Sequence, residues 1–366
     1  MRGPGQVARG VARLGVGAVA AGALLVGGAA PAFAHGRGSD ATNFSSTITA
    51  DPGIDGVTWA VYNGDEFIGV ENTTDTDLIV EGYEAEPYLR VGPDGVFANR
   101  NSEAYYLNAT RYITTAAPEG VGPEAPPDWV EVSTRPSYAW QDHRIHWMSP
   151  TLPPQVTDAG VRTVVTSRWA IPFRYAGEEQ EVTGELVWVP GTSPWIWLLA
   201  ALPVVAVPGL LGLRTRPGDH AWPGLVRPAA AVLGVVAVLN ITHFVDDLAA
   251  TPVPLGSAAL VAVQTALFIG IGLFGAVRAW QGGEAAFTAL GVGTGALFVG
   301  QGLLYFPVLG ASQAASVFPG AVTRAIVALT LAQALPLGAV AVIGSRRLLP
   351  EPGDRDRDAG ATAVVS

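Results

Sequence analysis

The distribution of charge after Pro194 constrains this chain more than any other feature. Five stretches, at about 195–213, 225–245, 256–278, 285–308 and 321–344, are almost free of Asp, Glu and Arg and rich in Leu, Val, Ala, Gly and Phe. Each is close to the ~20 residues that a helix needs to cross a ~30 Å hydrocarbon core. Inside lipid a helix satisfies its own backbone polar groups, so residues 194–345 read as an all-α bundle of five transmembrane helices.

Arginine placement orients the spans. Arg214, Arg216 and Arg227 lie between the first and second, Arg278 between the third and fourth, and Arg346, Arg347, Arg355 and Arg357 after the fifth. The connections near 246–255 and 309–320 carry none. By the positive-inside rule the arginine-bearing end faces the cytoplasm, including a disordered tail at 346–366, and residues 35–193 are extracytoplasmic. Arg324, near the outer end of the last span, is the one dissenter.

The N-terminus agrees with export. Arg2, Arg9 and Arg13 precede the apolar run LGVGAVAAGALLVGGAA and the small-residue sequence APAFA ending at Ala34. This is the layout of a secretory signal peptide over 1–34, which makes His35 the first residue of the mature chain. The expected localisation is the cell membrane, multi-pass, with the bilayer as the first partner.

Residues 35–193 contain 9 Arg against 23 Asp and Glu, and the whole chain has net charge −10. That sign repels nucleic acid, so no nucleic-acid partner is expected. There is no cysteine, which removes disulfides, thiolate metal sites and cysteine nucleophiles together. GRGSDATNFSST, 36–47, reads as a flexible leader. Beyond it GVTWAVYNGDEFIGVENTT, DLIVEGY, PYLRVGPDGVFAN, EAYYLN, WVEV, RTVVTSRWAIPFRY and EVTGELVWVP are β-rich runs separated by turn signals. The spacing predicts an all-β extracytoplasmic domain, an Ig-like sandwich. The last two runs pair as a hairpin around AGEEQ, with Trp169, Val182 or Leu186, and Trp188 on its inner face. TTAAPEGVGPEAPPD and MSPTLPPQ read as surface connections.

The chemistry concentrates in AWQDHRIHWMSP, 139–150. His143, His146 and Met148 offer two imidazoles and a thioether, a donor set that suits copper, with the thioether favouring Cu(I). Asp142 is placed to support an imidazole or to act as a ligand, and His35, with a free α-amine after cleavage, is a further candidate. Side-chain direction tests the idea. On a regular strand His146 and Met148 share one face and His143 points to the other, so a shared ion requires the chain to turn before Pro150. The same residues also fit a purely structural role or an acid–base role, and the sequence leaves the three open.

A second cluster interleaves Glu84, Glu86, Asp94, Arg90 and Arg100 with Tyr83, Tyr88, Tyr105 and Tyr106; on a strand Glu84 and Glu86 point the same way, as on a solvated or partner-facing surface. In the spans, Asn240, Thr242, His243, Asp246 and Asp247 gather at the outer end of the second, with His243 and Asp247 one turn apart. Gln264, Gln301 and Gln333 lie deeper and suit interhelical bonds, and Gly291 and Gly295 with Gly270 and Gly272 suit close helix approach.

GYEAEPYLRVGPDGVFANRNSEAYYLN, SYAWQDHRIHWM, RWAIPF and GELVWVP ahead of hydrophobic spans resemble a group of uncharacterised exported multi-span membrane proteins of actinobacteria, over about 80–193. That group lends no catalytic residues. A looser similarity is to periplasmic copper-carrier proteins and their membrane partners, which begin with a mature histidine on a β-sandwich; the histidine-rich and methionine-rich signatures of that group are absent here. The resulting expectation is a non-enzymatic membrane protein that binds or delivers copper at the outer face, or, alternatively, a structural protein whose sandwich recruits a cell-envelope partner.

Overall fold

A computed structural model describes residues 41–109, 111, 116–214, 222–252, 255–283 and 285–348. The expected signal peptide, His35 and the expected cytoplasmic tail from 349 on lie outside these residues.

Ten strands form the first half: β1 (Phe44–Ala50), β2 (Val57–Tyr62), β3 (Phe67–Asn72), β4 (Leu78–Glu81), β5 (Pro87–Gly92), β6 (Gly95–Asn99), β7 (Trp129–Ser133), β8 (Ser137–Trp140), β9 (Thr163–Tyr175) and β10 (Glu178–Trp188). They make two antiparallel sheets, one of seven strands in the order β1-β10-β9-β4-β5-β6-β7 and one of three in the order β2-β3-β8. The expected all-β, two-sheet architecture is therefore present, divided seven and three. Between the sheets lie Trp59, Ile68, Leu78, Leu89, Trp140, Ile145 and Phe173, all buried. Trp59 is the hinge of this core, with its ring 5.2 Å from Phe173 and 6.2 Å from Trp140. Full burial of each such side chain is worth about 1.5–3 kcal/mol, which is how a domain without disulfides holds together.

The β9–β10 hairpin confirms the inward set: Trp169, Val182, Leu186 and Trp188 are all buried. Its loop is shorter than expected. Tyr175 pairs with Glu178, so only Ala176 and Gly177 turn, both at positive φ (52° and 83°), while Glu178–Gln180 belong to the strand. Two left-handed residues give the tight turn whose twist matches the strands.

Two local expectations are corrected. β1 starts at Phe44, inside the stretch expected to be a leader, and pairs with β10 from Phe44↔Trp188. EAYYL, expected as strand, is a short helix, α1 (Glu103–Leu107), because Ser102 caps it through the Ala104 amide and Glu103 sits in its first turn.

The second half is helical: α2 (Pro194–Leu210), α3 (Trp222–Ala250), α4 (Leu255–Gln281), α5 (Ala286–Leu297), α6 (Gly320–Ala332) and α7 (Ala334–Leu348). Five segments are long and apolar enough to cross a membrane: Pro194–Arg214, Gly224–Ala250, Val261–Gln281, Ala286–Leu303 and Gly320–Arg346. They match the five expected spans to within a few residues. Trp195, Ile196, Leu199, Val204 and Val207 of α2 point outward, as do Val263, Leu267, Phe274 and Val277 of α4. Such apolar surfaces demand lipid rather than water.

α5 passes into a π-helical turn, Phe298–Leu303, that carries Gly300, Gln301 and Gly302. The last span is interrupted at Gln333 between α6 and α7, where Pro336 cannot donate to the Ala332 carbonyl. Of the expected glycines only Gly272 of α4 is in tight contact, since a Cβ there would lie 2.7 Å from Leu297 Cγ of α5, and the closest backbone approach is made by Gly275 and Gly293, which were not among them. A Cβ on Gly275 of α4 would lie 2.8 Å from Gly293 Cα and 2.7 Å from the Ala289 carbonyl of α5, while Gly291 and Gly295 meet nothing so close.

The sheet domain sits against one end of the bundle. Thr42 forms an antiparallel bridge with Gln313, Ser312 N donates to Asn43 Oδ1 at 2.8 Å, Thr192 Oγ1 donates to the Leu309 carbonyl at 2.9 Å, and Asn63 Nδ2 donates to Thr251 Oγ1 at 3.3 Å. The two arginine-free connections are thus both at the sheet-domain end. Arg324, the dissenter, is used there: its Nη2 donates to the Ala311 and Ser312 carbonyls at 2.7 and 3.0 Å.

Candidate functional site

β8 stops at Trp140 and the chain turns at once. Asp142 makes the turn: its carbonyl accepts from Ile145 N at 3.1 Å and its Oδ1 accepts from Arg144 N at 3.0 Å. The regular strand that would have separated the two histidines is absent. His143 and His146 come together with ring centroids 5.1 Å apart and planes at 69°.

Asp142 itself is spoken for. It is fully buried, with Arg144 Nε on Oδ1 and Arg144 Nη2 and Trp140 Nε1 on Oδ2, each at 2.8 Å. Burial pushes its carboxyl up, but the Arg144 guanidinium and these hydrogen bonds outweigh it and hold the group below its ordinary range. Asp142 is thus the pin of the turn, with both carboxylate oxygens accepting hydrogen bonds. Arg144 also reaches the Glu81 carbonyl at 3.2 Å and covers the Tyr83 ring at 5.1 Å. Tyr83 accepts from the His143 amide at 3.1 Å and donates to Asn108 Oδ1.

His146 is 4% exposed. Its Nε2 lies 3.1 Å from the Arg111 carbonyl, which can only accept, so Nε2 carries the proton and Nδ1 holds the lone pair. That Nδ1 has no hydrogen-bond partner among the described residues. Burial, then the charges of Arg111 and His143, push the imidazole down to about 3, so it is neutral at physiological pH. Arg111 in turn is paired with the wholly buried Asp65 at 2.6 Å. Burial pushes the Asp65 carboxyl up to about 6 against the pull of Arg111. Met148 is half-buried two residues beyond His146.

Arg111 and Asp65 were not among the expected site residues. Asp65 lies in NGDE, legible only as a turn, and Arg111 is 35 residues from His146 with no local pattern to mark it.

The tyrosine and carboxylate cluster does not share a strand face. Residues 82–86 form a turn with Ala85 at φ 62°, leaving Glu84 exposed and Glu86 buried. Glu86 accepts from Ser102 Oγ at 2.5 Å and from Glu84 N at 2.9 Å, so it holds the turn against the cap of α1.

Within the bundle, Asp246 accepts from Ser316 Oγ at 2.6 Å and Val317 N at 2.7 Å, fastening the loop before α6. His243 has its ring 4.7 Å from Tyr305, whose hydroxyl lies 3.3 Å from Asp247 Oδ2. Deeper in, Asn240 Nδ2 donates to Thr330 Oγ1 at 2.8 Å, an interhelical bond from a residue pair other than the expected glutamines. Gln301 donates to its neighbour's carbonyl at Gly300.

No protein-family model, curated protein or solved structure matches the chain.

Proposed function

We propose that this integral membrane protein binds copper at the outer face of the membrane, through His143 and His146. One observation carries the reading: His146 is neutral, its Nε2–H is fixed by a backbone carbonyl, and its Nδ1 lone pair is unused beside a second imidazole. Metal-bound histidines characteristically donate their other ring N–H in this way, which fixes tautomer and ring orientation. The 5.1 Å separation of the rings is in the range that two imidazoles span on one ion with bonds of ~2.0–2.1 Å. Met148 is the third candidate donor, and its thioether favours Cu(I). The Arg111 charge opposes a cation at His146, and Asp65 at 2.6 Å offsets it. The orientation proposed with it puts the arginine-bearing end in the cytoplasm and the sheet domain outside.

The test is competition of the purified full-length protein with a chromogenic Cu(I) chelator. The expected result is one Cu(I) per chain, lost in a His143→Ala, His146→Ala double variant that keeps the wild-type unfolding temperature to within a few degrees. Equal Cu(I) retention by both proteins overturns the proposal.

A further inference from the structure

We infer that the helical bundle contains a second cation site, for a divalent transition-metal ion, built from His243 and Asp247 of α3 with Tyr305. It stands on the bundle's own residues and holds whether or not the outer histidine pair binds copper.

His243 is 2% exposed, and neither ring nitrogen has a hydrogen-bond partner among the described residues. An imidazole always has at least one N–H to donate, and burying it unmatched is costly, more so inside a bilayer where water cannot compensate. The ring packs on Tyr305, which in turn meets a carboxylate from the same face of α3. Asp247, one turn further along α3, is buried, and the buried Tyr305 bridges the two, with its ring 4.7 Å from His243 and its hydroxyl 3.3 Å from Asp247 Oδ2. Imidazole, carboxylate and phenol oxygen form a borderline-to-hard donor set, suited to Cu2+ or Zn2+ and different in kind from the softer set of the outer loop.

The neighbouring charges are already committed. Asp246 takes its donors from Ser316, Val317, Phe318 and Thr323, and Arg324 is held by the Ala311 and Ser312 carbonyls. His243 is seven residues from the last residue of α3, about 10 Å along the helix. That end of α3 meets the sheet domain, since Thr251 accepts from Asn63. An ion would therefore enter from the domain junction. Ionisable groups at such depth default to functional sites.

The experiment titrates Zn2+ and Cu2+ into full-length protein in detergent, using a His143→Ala, His146→Ala background so that the outer pair contributes nothing. One ion per chain is expected there, weakened at least tenfold by His243→Gln and by Asp247→Asn. X-ray absorption of the Zn-loaded background protein should report one imidazole with oxygen ligands, which tests the site even if His243→Gln does not fold. No retained ion in the background protein, or unchanged affinity in Asp247→Asn with no imidazole signature, overturns the inference and leaves ordered water as the partner of His243.

Discussion

The Nε2–H of His146 is held by the main-chain carbonyl of Arg111 at 3.1 Å, so a ring in one loop and the backbone of a segment 35 residues away are registered on each other. The side chain of the same arginine is held by Asp65. Two buried titratable groups therefore meet one residue, Asp65 at its guanidinium and His146 at its backbone, and burial shifts them in opposite directions.

Burial lowers His146 from 6.5 to about 3, so between those values the unfolded chain holds a proton that the folded one lacks. Its contribution to stability is complete above about pH 6.5 and is lost as pH falls. Burial raises Asp65 from 3.8 to about 6, so there the folded chain holds the extra proton, and stability declines as pH rises from 3.8 through 6. Each slope is at most about 1.4 kcal/mol per pH unit, and between pH 4 and 6 they oppose. Thermal unfolding of Asp65→Asn is expected to show a steeper loss toward acid than wild type, and that of His146→Ala a shallower one. Parallel pH profiles for all three proteins contradict both assignments.

Asp142 and Arg144 form the buried ion pair that makes the histidine turn. Removing one partner leaves the other charge buried, so Asp142→Asn is expected to cost about 3–5 kcal/mol, measured by chemical unfolding. Pairing it with Arg144→Met should recover part of that loss. A double variant as unstable as the sum of the single changes would show that the two side chains act independently.

At Gly275 a methyl group would meet backbone atoms of α5 at 2.7 and 2.8 Å, and backbone does not move aside as a flexible side chain does. Gly275→Ala is expected to destabilise the bundle by about 1–3 kcal/mol, and Gly270→Ala, where nothing lies within 4 Å, to change stability little. Unfolding temperatures in matched detergent decide between them.

Because the chain has no cysteine, any introduced one is unique. A membrane-impermeant maleimide is expected to label Thr157→Cys in intact cells and Ser345→Cys only after permeabilisation. The reverse pattern would invert the orientation argued from the arginines.

The spans were legible because length and absence of charge are themselves what lipid requires, so composition and structure state the same constraint. The long strands β9 and β10 were legible for a related reason, since their buried residues Trp169, Ile171 and Phe173 recur every second position. β1 was not: FSSTITA is mostly Ser and Thr, and only its pairing with β10 makes it a strand. α1 carries its helix signal in Ser102 and Glu103, against the strand preference of Tyr105 and Tyr106. The site was half legible. Local chemistry pointed to His143 and His146, and the turn that joins them follows from Asp142, two residues past the strand end. Arg111, Asp65 and the contact of Tyr305 with His243 depend on distant segments meeting, and no local pattern encodes them.

The chain crosses between sheet domain and bundle at Val189–Ser193, and the start of β1, running alongside, is stitched to the Ser312–Gln313 loop. The β2–β3 hairpin adds a third fastening at Thr251. A single linker would let the domain swivel like a weight on a string. Fastened at several points, the domain is held against the helices by residues flanking α2 and α3 and by the loop before α6, so that losing any one fastening leaves the others in place.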